Sequence, residues 1–81
     1  MTDEETARFA VLKIANDDGK FAIPVGSGFK TLEEQEAFQG LLLSGWLRLI
    51  DITPLAEGEP GRVYRVFLAT PEAMTWFRGQ H

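Results

Sequence analysis

The sequence predicts a single small α+β domain over residues 1–81, in the order helix, strand, helix, strand, strand, helix. Two helix starts are marked by capping residues, Thr2 and Thr31. Two stretches of equal length that are rich in β-formers, 46–53 and 62–69, flank a segment with two prolines and two glycines. With 81 residues, 44% of them hydrophobic, the chain can build one domain with a thin core.

The first predicted helix begins at Thr2, which can form a capping box with Glu5. Phe9 and Leu12 lie nearly opposite the other apolar side chains of this helix, which are Ala7, Ala10, Val11 and Ile14. Because both sides are apolar, we expect both to be buried, either inside the domain or between two subunits.

A second interpretation makes residues 8–15 a strand that pairs with residues 21–25 across a turn at 16–19. Apolar and polar residues alternate poorly over 8–15, which favours the helix and leaves the strand as the alternative. In both interpretations the chain can extend over 21–23. Pro24 lacks a backbone N–H, so this strand is predicted to lie at the edge of a sheet.

The second helix is predicted to begin after Thr31 and to end at Ser44, before Gly45. Thr31 and Glu34 can form another capping box, and the first two turns are acidic. The core face consists of Phe38, Leu41 and Leu42. The glycines before this helix do not make a phosphate loop, because Pro24 and Phe29 stand where a Walker A motif needs glycine.

The hairpin and the last helix follow. The two strands of the hairpin are expected over 46–53 and 62–69, joined by a long exposed loop at 54–61. Thr70 is the predicted cap of the last helix and Pro71 its first residue. Met74 and Phe77 are expected to face inward, and Gly79 to end the helix.

Composition argues against several classes of function. The chain has no cysteine, which removes disulfides and thiolate metal sites and suits a reducing compartment. No apolar run is long enough to span a membrane, and the first residues are acidic, so a cytoplasmic protein is predicted. The single histidine, His81, is the last residue, where we expect an unstructured end.

No catalytic constellation or metal-ligand spacing is evident, so we predict that the protein is not an enzyme and holds no cofactor or metal. Glu33 and Glu36 lie three residues apart on a helix, and Tyr64 lies within a strand. A solvated helix face and a packed aromatic ring explain these residues better than acid catalysis does.

The residues LLLSGWLRL at 41–49, the loop at 54–61 and the residues YRVFLATPEA at 64–73 resemble the winged-helix family. In that family a helix ends at a glycine, a strand follows, and a wing loop returns to a close before the last helix. The resemblance covers residues 31–78 and implies a winged-helix-like domain with its wing at 54–61. This chain departs from the family because one helix stands where two are usual, and that helix begins with acids.

Large apolar side chains favour a protein-interaction module, which we expect to bind itself as a homodimer or to bind another protein. The candidate interface residues are Phe9, Leu12, Trp46, Trp76 and Phe77. The alternative is a DNA-binding regulator that uses its wing, with contacts from Arg48, Arg62, Arg65, Lys20 and Lys30. The net charge of −4 disfavours this alternative, because affinity for nucleic acid depends largely on neutralising phosphates.

Overall fold

A computed structural model describes residues 1–80, and the prediction made for His81 lies outside them. The described residues form three helices and three strands: α1 Asp3–Leu12, β1 Lys20–Pro24, α2 Leu32–Ser44, β2 Leu47–Pro54, β3 Val63–Ala69 and α3 Pro71–Arg78. The α+β class and the predicted order of elements are confirmed. The strand interpretation of residues 8–15 is wrong, because α1 continues to Leu12 and a turn follows.

The predicted helix starts have the expected capping bonds. At Thr2 the capping box is complete: the Glu5 N–H donates to Thr2 Oγ1 at 3.1 Å, and the Thr2 N–H donates to Glu5 Oε1 at 3.1 Å. At Thr31 the hydroxyl oxygen accepts from the Glu34 N–H at 3.1 Å. Among the contacts of residues 1–80, the Thr31 N–H does not donate to the Glu34 carboxylate, so only half of the second capping box is formed.

The end of α2 is fixed by a left-handed glycine. Gly45 has a φ of +82°, and its N–H donates to the Leu42 carbonyl at 3.2 Å. The Trp46 N–H donates to the Leu41 carbonyl at 3.0 Å, which completes a Schellman motif. The chain then enters β2 directly, as the sequence predicts.

The sheet is antiparallel, with strand order β1-β3-β2, so β3 is central and the other two strands are edges. Pro24 therefore lies on an edge strand, as predicted. The pairing of β2 with β3 shifts by one residue between Leu49 and Asp51, which leaves Ile50 in a β-bulge. Beyond the bulge, Ile52 pairs with Arg65.

All three helices pack on one face of the sheet, which we call the helix-side face. From the sheet this core takes Phe21, Leu47 and Phe67, and the Phe38 ring of α2 meets the Phe67 ring edge to face at 5.1 Å. The helices contribute the buried residues Val11, Leu12, Phe38, Leu41, Ala73 and Met74.

The two apolar sides of α1 are both covered within the chain. Leu12 is 0% exposed, so it is a core residue rather than an interface residue. Phe9, on the same side of the helix as Leu12, stacks on Phe77 of α3 with ring centroids 4.7 Å apart. On the opposite side Ala7 and Val11 are buried. The partners that the sequence left open for this helix are therefore α2 and α3 of the same chain.

Candidate functional site

The aromatic residues predicted for an interface mostly connect parts of one chain. The Trp46 and Trp76 rings lie 6.3 Å apart, and both are half-buried. The Arg8 guanidinium lies 5.8 Å from the Trp46 ring centroid and 5.2 Å from that of Trp76. This cation–π arrangement, together with the Phe9–Phe77 stack, ties α1 and α3 to the start of β2. These rings therefore offer only part of their surface to a partner.

Four exposed apolar side chains lie together on the β2–β3 hairpin, although Leu32 and Leu43 of α2 are exposed as well. Leu49 is 48% exposed, Ile50 46%, Ile52 57% and Val63 40%, and we call these four residues the hairpin patch. Leu49 pairs with the core residue Phe67, so its side chain lies on the helix-side face. Alternation along β3 places Arg65 and Val63 on that same face, and Ile52 pairs with Arg65. The helix-side face of the hairpin thus carries Leu49, Ile52 and Val63 together with Arg65.

The free edge of β2 is poorly suited to backbone pairing with another strand. The bulge at Ile50 interrupts its regular pleat. The Ile52 N–H is already occupied by Asp51 Oδ1 at 2.8 Å, and Pro54 at the end of β2 has no N–H to donate. Bulges, edge charges and prolines are the usual means by which proteins block edge pairing. Side chains, rather than open backbone groups, are what the hairpin presents to a partner.

The basic residues of the alternative reading are divided between surfaces. Arg48 and Lys20 both pair with Leu68, so they lie on the sheet face opposite the helices. Arg65 lies on the helix-side face with Ile52. Arg62 forms an ion pair with Glu59 at 3.4 Å and donates to the Ser27 hydroxyl at 3.2 Å.

Lys30 is exposed in the connector before α2. The five bases proposed for nucleic-acid contact are thus distributed over both faces of the sheet, the end of the loop between β2 and β3, and the connector before α2.

The carboxylates and the tyrosine considered for catalysis have structural surroundings. The pKa of the Glu5 carboxyl is lowered by hydrogen bonds from the Thr2 backbone N–H and, next, from the Thr2 hydroxyl. Tyr64 accepts a hydrogen bond from the Glu59 N–H at 3.3 Å, which holds the loop at 54–61 against β3. Among residues 1–80, no group of three or more metal-ligating side chains lies close enough to hold an ion.

A groove of about 450 Å³ runs between α1 and α2, and we call it the α1–α2 groove. Its apolar lining includes Ala7, Ala37, Leu41 and Trp46. Four carboxylates also line it: Asp3 and Glu4 from α1, and Glu33 and Glu36 from α2. The first turns of both helices therefore bring negative charge to the mouth of one concave, partly apolar site.

Comparison with protein-family models, curated proteins and solved structures gives no match to this chain. In the part of the chain that the structure describes, no helix is both long enough and apolar enough to cross a bilayer. The arrangement of the residues themselves is therefore the basis for any functional assignment.

Sequence reasoning missed the hairpin patch and the α1–α2 groove. A signal for the patch exists in the stretch 47–52, where two aliphatic residues are adjacent and strict alternation fails. A bulge explains that failure, since it adds one residue to a strand. The groove has no comparable signal, because it depends on how two helices distant in sequence pack together.

Proposed function

We propose that this chain is a non-catalytic protein-interaction module that forms a homodimer through its hairpin patch. The observation that carries the proposal is the joint exposure of Leu49, Ile50, Ile52 and Val63 on one hairpin. Exposed apolar side chains that are close together in this way are typical of protein contact sites. The patch takes the place of the aromatic interface that the sequence suggested.

The distribution of charge supports a second copy as the occupant. Residues 46–70 contain three arginines and three acids, so the whole net charge of −4 lies outside the hairpin. Two copies that meet through their hairpins therefore bring neutral segments together. A contact between neutral segments limits the repulsion between like-charged chains.

The fold supports a winged-helix-like assignment in which the wing serves protein contact. Gly45 ends α2 just before β2 begins, the loop at 54–61 corresponds to the wing, and Thr70 caps the last helix after β3. Because the bases are distributed over several surfaces, DNA binding through Arg48, Arg62 and Arg65 has less support. A labelled duplex titrated at low salt tests this alternative: we expect no binding at micromolar protein.

The non-catalytic assignment rests on the roles of the candidate acids. Glu5 and Glu34 take part in helix capping, and Glu33 and Glu36 are exposed on the first turns of α2. Negative charge is favourable at the start of a helix, so the placement of these acids is explained without a catalytic role. A chain without cysteine is also suited to the cytoplasm, where we place the protein.

Light scattering coupled to size exclusion tests the dimer. We expect a dimer at high micromolar concentration and a monomer for Ile52→Glu, because a buried carboxylate in an aliphatic contact loses its hydration. Leu43→Glu is the matched control, since Leu43 is 90% exposed on α2, outside the hairpin. A monomeric wild-type protein, or equal masses for the two variants, would overturn the proposal.

A further inference from the structure

We infer that the α1–α2 groove is a docking site for a basic amphipathic helix of another protein. The site is separate from the hairpin patch, since none of the patch residues lines it. Two observations carry the inference: the apolar floor of the groove and the sign of the charge around it.

The floor is apolar and unobstructed. Among its lining residues Ala7 and Leu41 are buried, and Trp46 is half-buried. Gly40 lines the groove, and a Cβ atom at this position would meet no heavy atom within 4 Å. Small residues on two packed helices therefore leave room for the side chains of a third element. A simple cation would use the carboxylates but would leave this floor uncovered.

The charge around the floor is negative and uncompensated. Asp3, Glu4, Glu33 and Glu36 are all exposed, and none of them forms an ion pair within residues 1–80. Arg8 is the one base among the lining residues. Its guanidinium lies over the Trp76 and Trp46 rings, at 5.2 and 5.8 Å, rather than against the carboxylates. The groove is therefore complementary to a positively charged ligand.

An amphipathic helix with basic flanks satisfies both requirements. Helices dock in this way by laying an apolar face into a groove, while charges at the rim set partner choice and the rate of association. A second copy of this chain cannot supply such a helix from the part described: α1 and α2 begin with acids, and α3 has an acid, Glu72, in its first turn and one base, Arg78, in its last. The occupant is thus a segment of a different protein.

The test uses a labelled 18-residue amphipathic peptide of lysine and leucine, with a glutamine and leucine analogue as the uncharged probe. We expect anisotropy to report binding of the lysine peptide and at least tenfold weaker binding of the analogue, because charge complementarity is lost. Failure of the lysine peptide to bind at high micromolar protein, or equal binding of the two peptides, would overturn the inference.

Variants locate the binding on the protein. Gly40→Leu should abolish binding by filling the groove, whereas Gly40→Ala should leave most of it. The double variant Glu33→Gln with Glu36→Gln changes only exposed side chains and should weaken binding. Ile52→Glu should bind the peptide as the wild type does, which separates this site from the dimer contact. Unchanged affinity in both the Gly40→Leu and the double variant would show that the peptide binds elsewhere.

Discussion

Gly40 within α2 and Gly45 at its end both have free space around them, but they differ in backbone conformation. A Cβ atom at Gly40 or at Gly45 would meet no heavy atom within 4 Å. Gly40 lies within the helix, where glycine costs conformational entropy relative to alanine. Gly45 has a φ of +82°, which an L side chain adopts only with strain. The same substitution should therefore have opposite effects at the two positions.

Gly40→Ala should raise the free energy of unfolding by roughly 0.5–1 kcal/mol, and Gly45→Ala should lower it by about 1–2 kcal/mol. Urea unfolding followed by circular dichroism measures both changes in the same protein. Each variant serves as the control of the other, because neither methyl group is sterically hindered. A loss of stability in Gly40→Ala would show that the helix interior does not tolerate a side chain there.

The capping box of α1 predicts a pH dependence. The pKa of Glu5 is lowered in the folded chain, mainly by the Thr2 backbone N–H and then by the Thr2 hydroxyl. A lowered folded-state pKa stabilises the fold above the unfolded-state pKa, and this contribution is lost as the pH falls through the folded-state pKa. Thr2→Ala removes the hydroxyl and should move the pKa of Glu5 upward, toward its ordinary value.

An NMR titration of the Glu5 carboxyl measures that shift. Thr6→Ala is the matched control, because the Thr6 hydroxyl donates to the Thr2 carbonyl at 3.0 Å and does not contact Glu5. The same upward shift in both variants would contradict the contribution of the Thr2 hydroxyl to the lowered pKa of Glu5.

At the scale of elements, the sequence predicts what is encoded locally. Thr2, Thr31 and Thr70 mark helix starts by hydroxyl bonds to N–H groups three residues ahead, so capping depends on neighbours in the chain. Gly45 marks the end of α2 for the same reason. The two hairpin strands are also visible, because β-branched residues concentrate there. These elements can therefore be predicted without information on tertiary contacts.

The candidate surfaces depend on contacts between distant residues. Phe9 and Leu12 have the same hydrophobic character in the sequence, yet Leu12 enters the core and Phe9 stacks on Phe77. Only the docking of α3 separates these two outcomes. The exposure of Leu49 and Ile52 likewise depends on which parts of the sheet the helices cover, although the failed alternation in 47–52 is a local signal for the bulge beside them.

Asp51 is predicted to keep the free edge of β2 from pairing with further strands. Its carboxylate accepts from the Ile52 N–H at 2.8 Å, so removing it opens a donor on the edge strand. Asp51→Ala should therefore form assemblies larger than a dimer as concentration rises. Asp51→Asn retains an oxygen acceptor for the N–H and should not.

Light scattering over a concentration series distinguishes these two variants. Larger assemblies in both would point to the charge of Asp51 rather than to its hydrogen bond. A mass independent of concentration in Asp51→Ala would mean that the bulge at Ile50 and Pro54 block the edge without it.

At the scale of the whole molecule, the helix starts and the hairpin differ in charge. The first turns of the helices carry six of the twelve acids, whereas the hairpin is neutral and bears the aliphatic patch. Contact through the hairpin must still overcome repulsion between two chains of net charge −4. The same negative charge attracts a basic helix and therefore favours its docking in the α1–α2 groove. The two proposed contacts should therefore respond to ionic strength in opposite directions.

Raising sodium chloride should tighten the dimer and weaken peptide binding, because the screening length shortens from about 30 Å at 0.01 M to about 3 Å at 1 M. Analytical ultracentrifugation measures the first affinity and anisotropy the second, on the same preparation. Sodium chloride is preferable to sulfate, which strengthens apolar burial by a separate mechanism. A dimer that weakens with salt would place ion pairs, such as those available to Arg48 and Arg65, at the interface instead of the aliphatic patch.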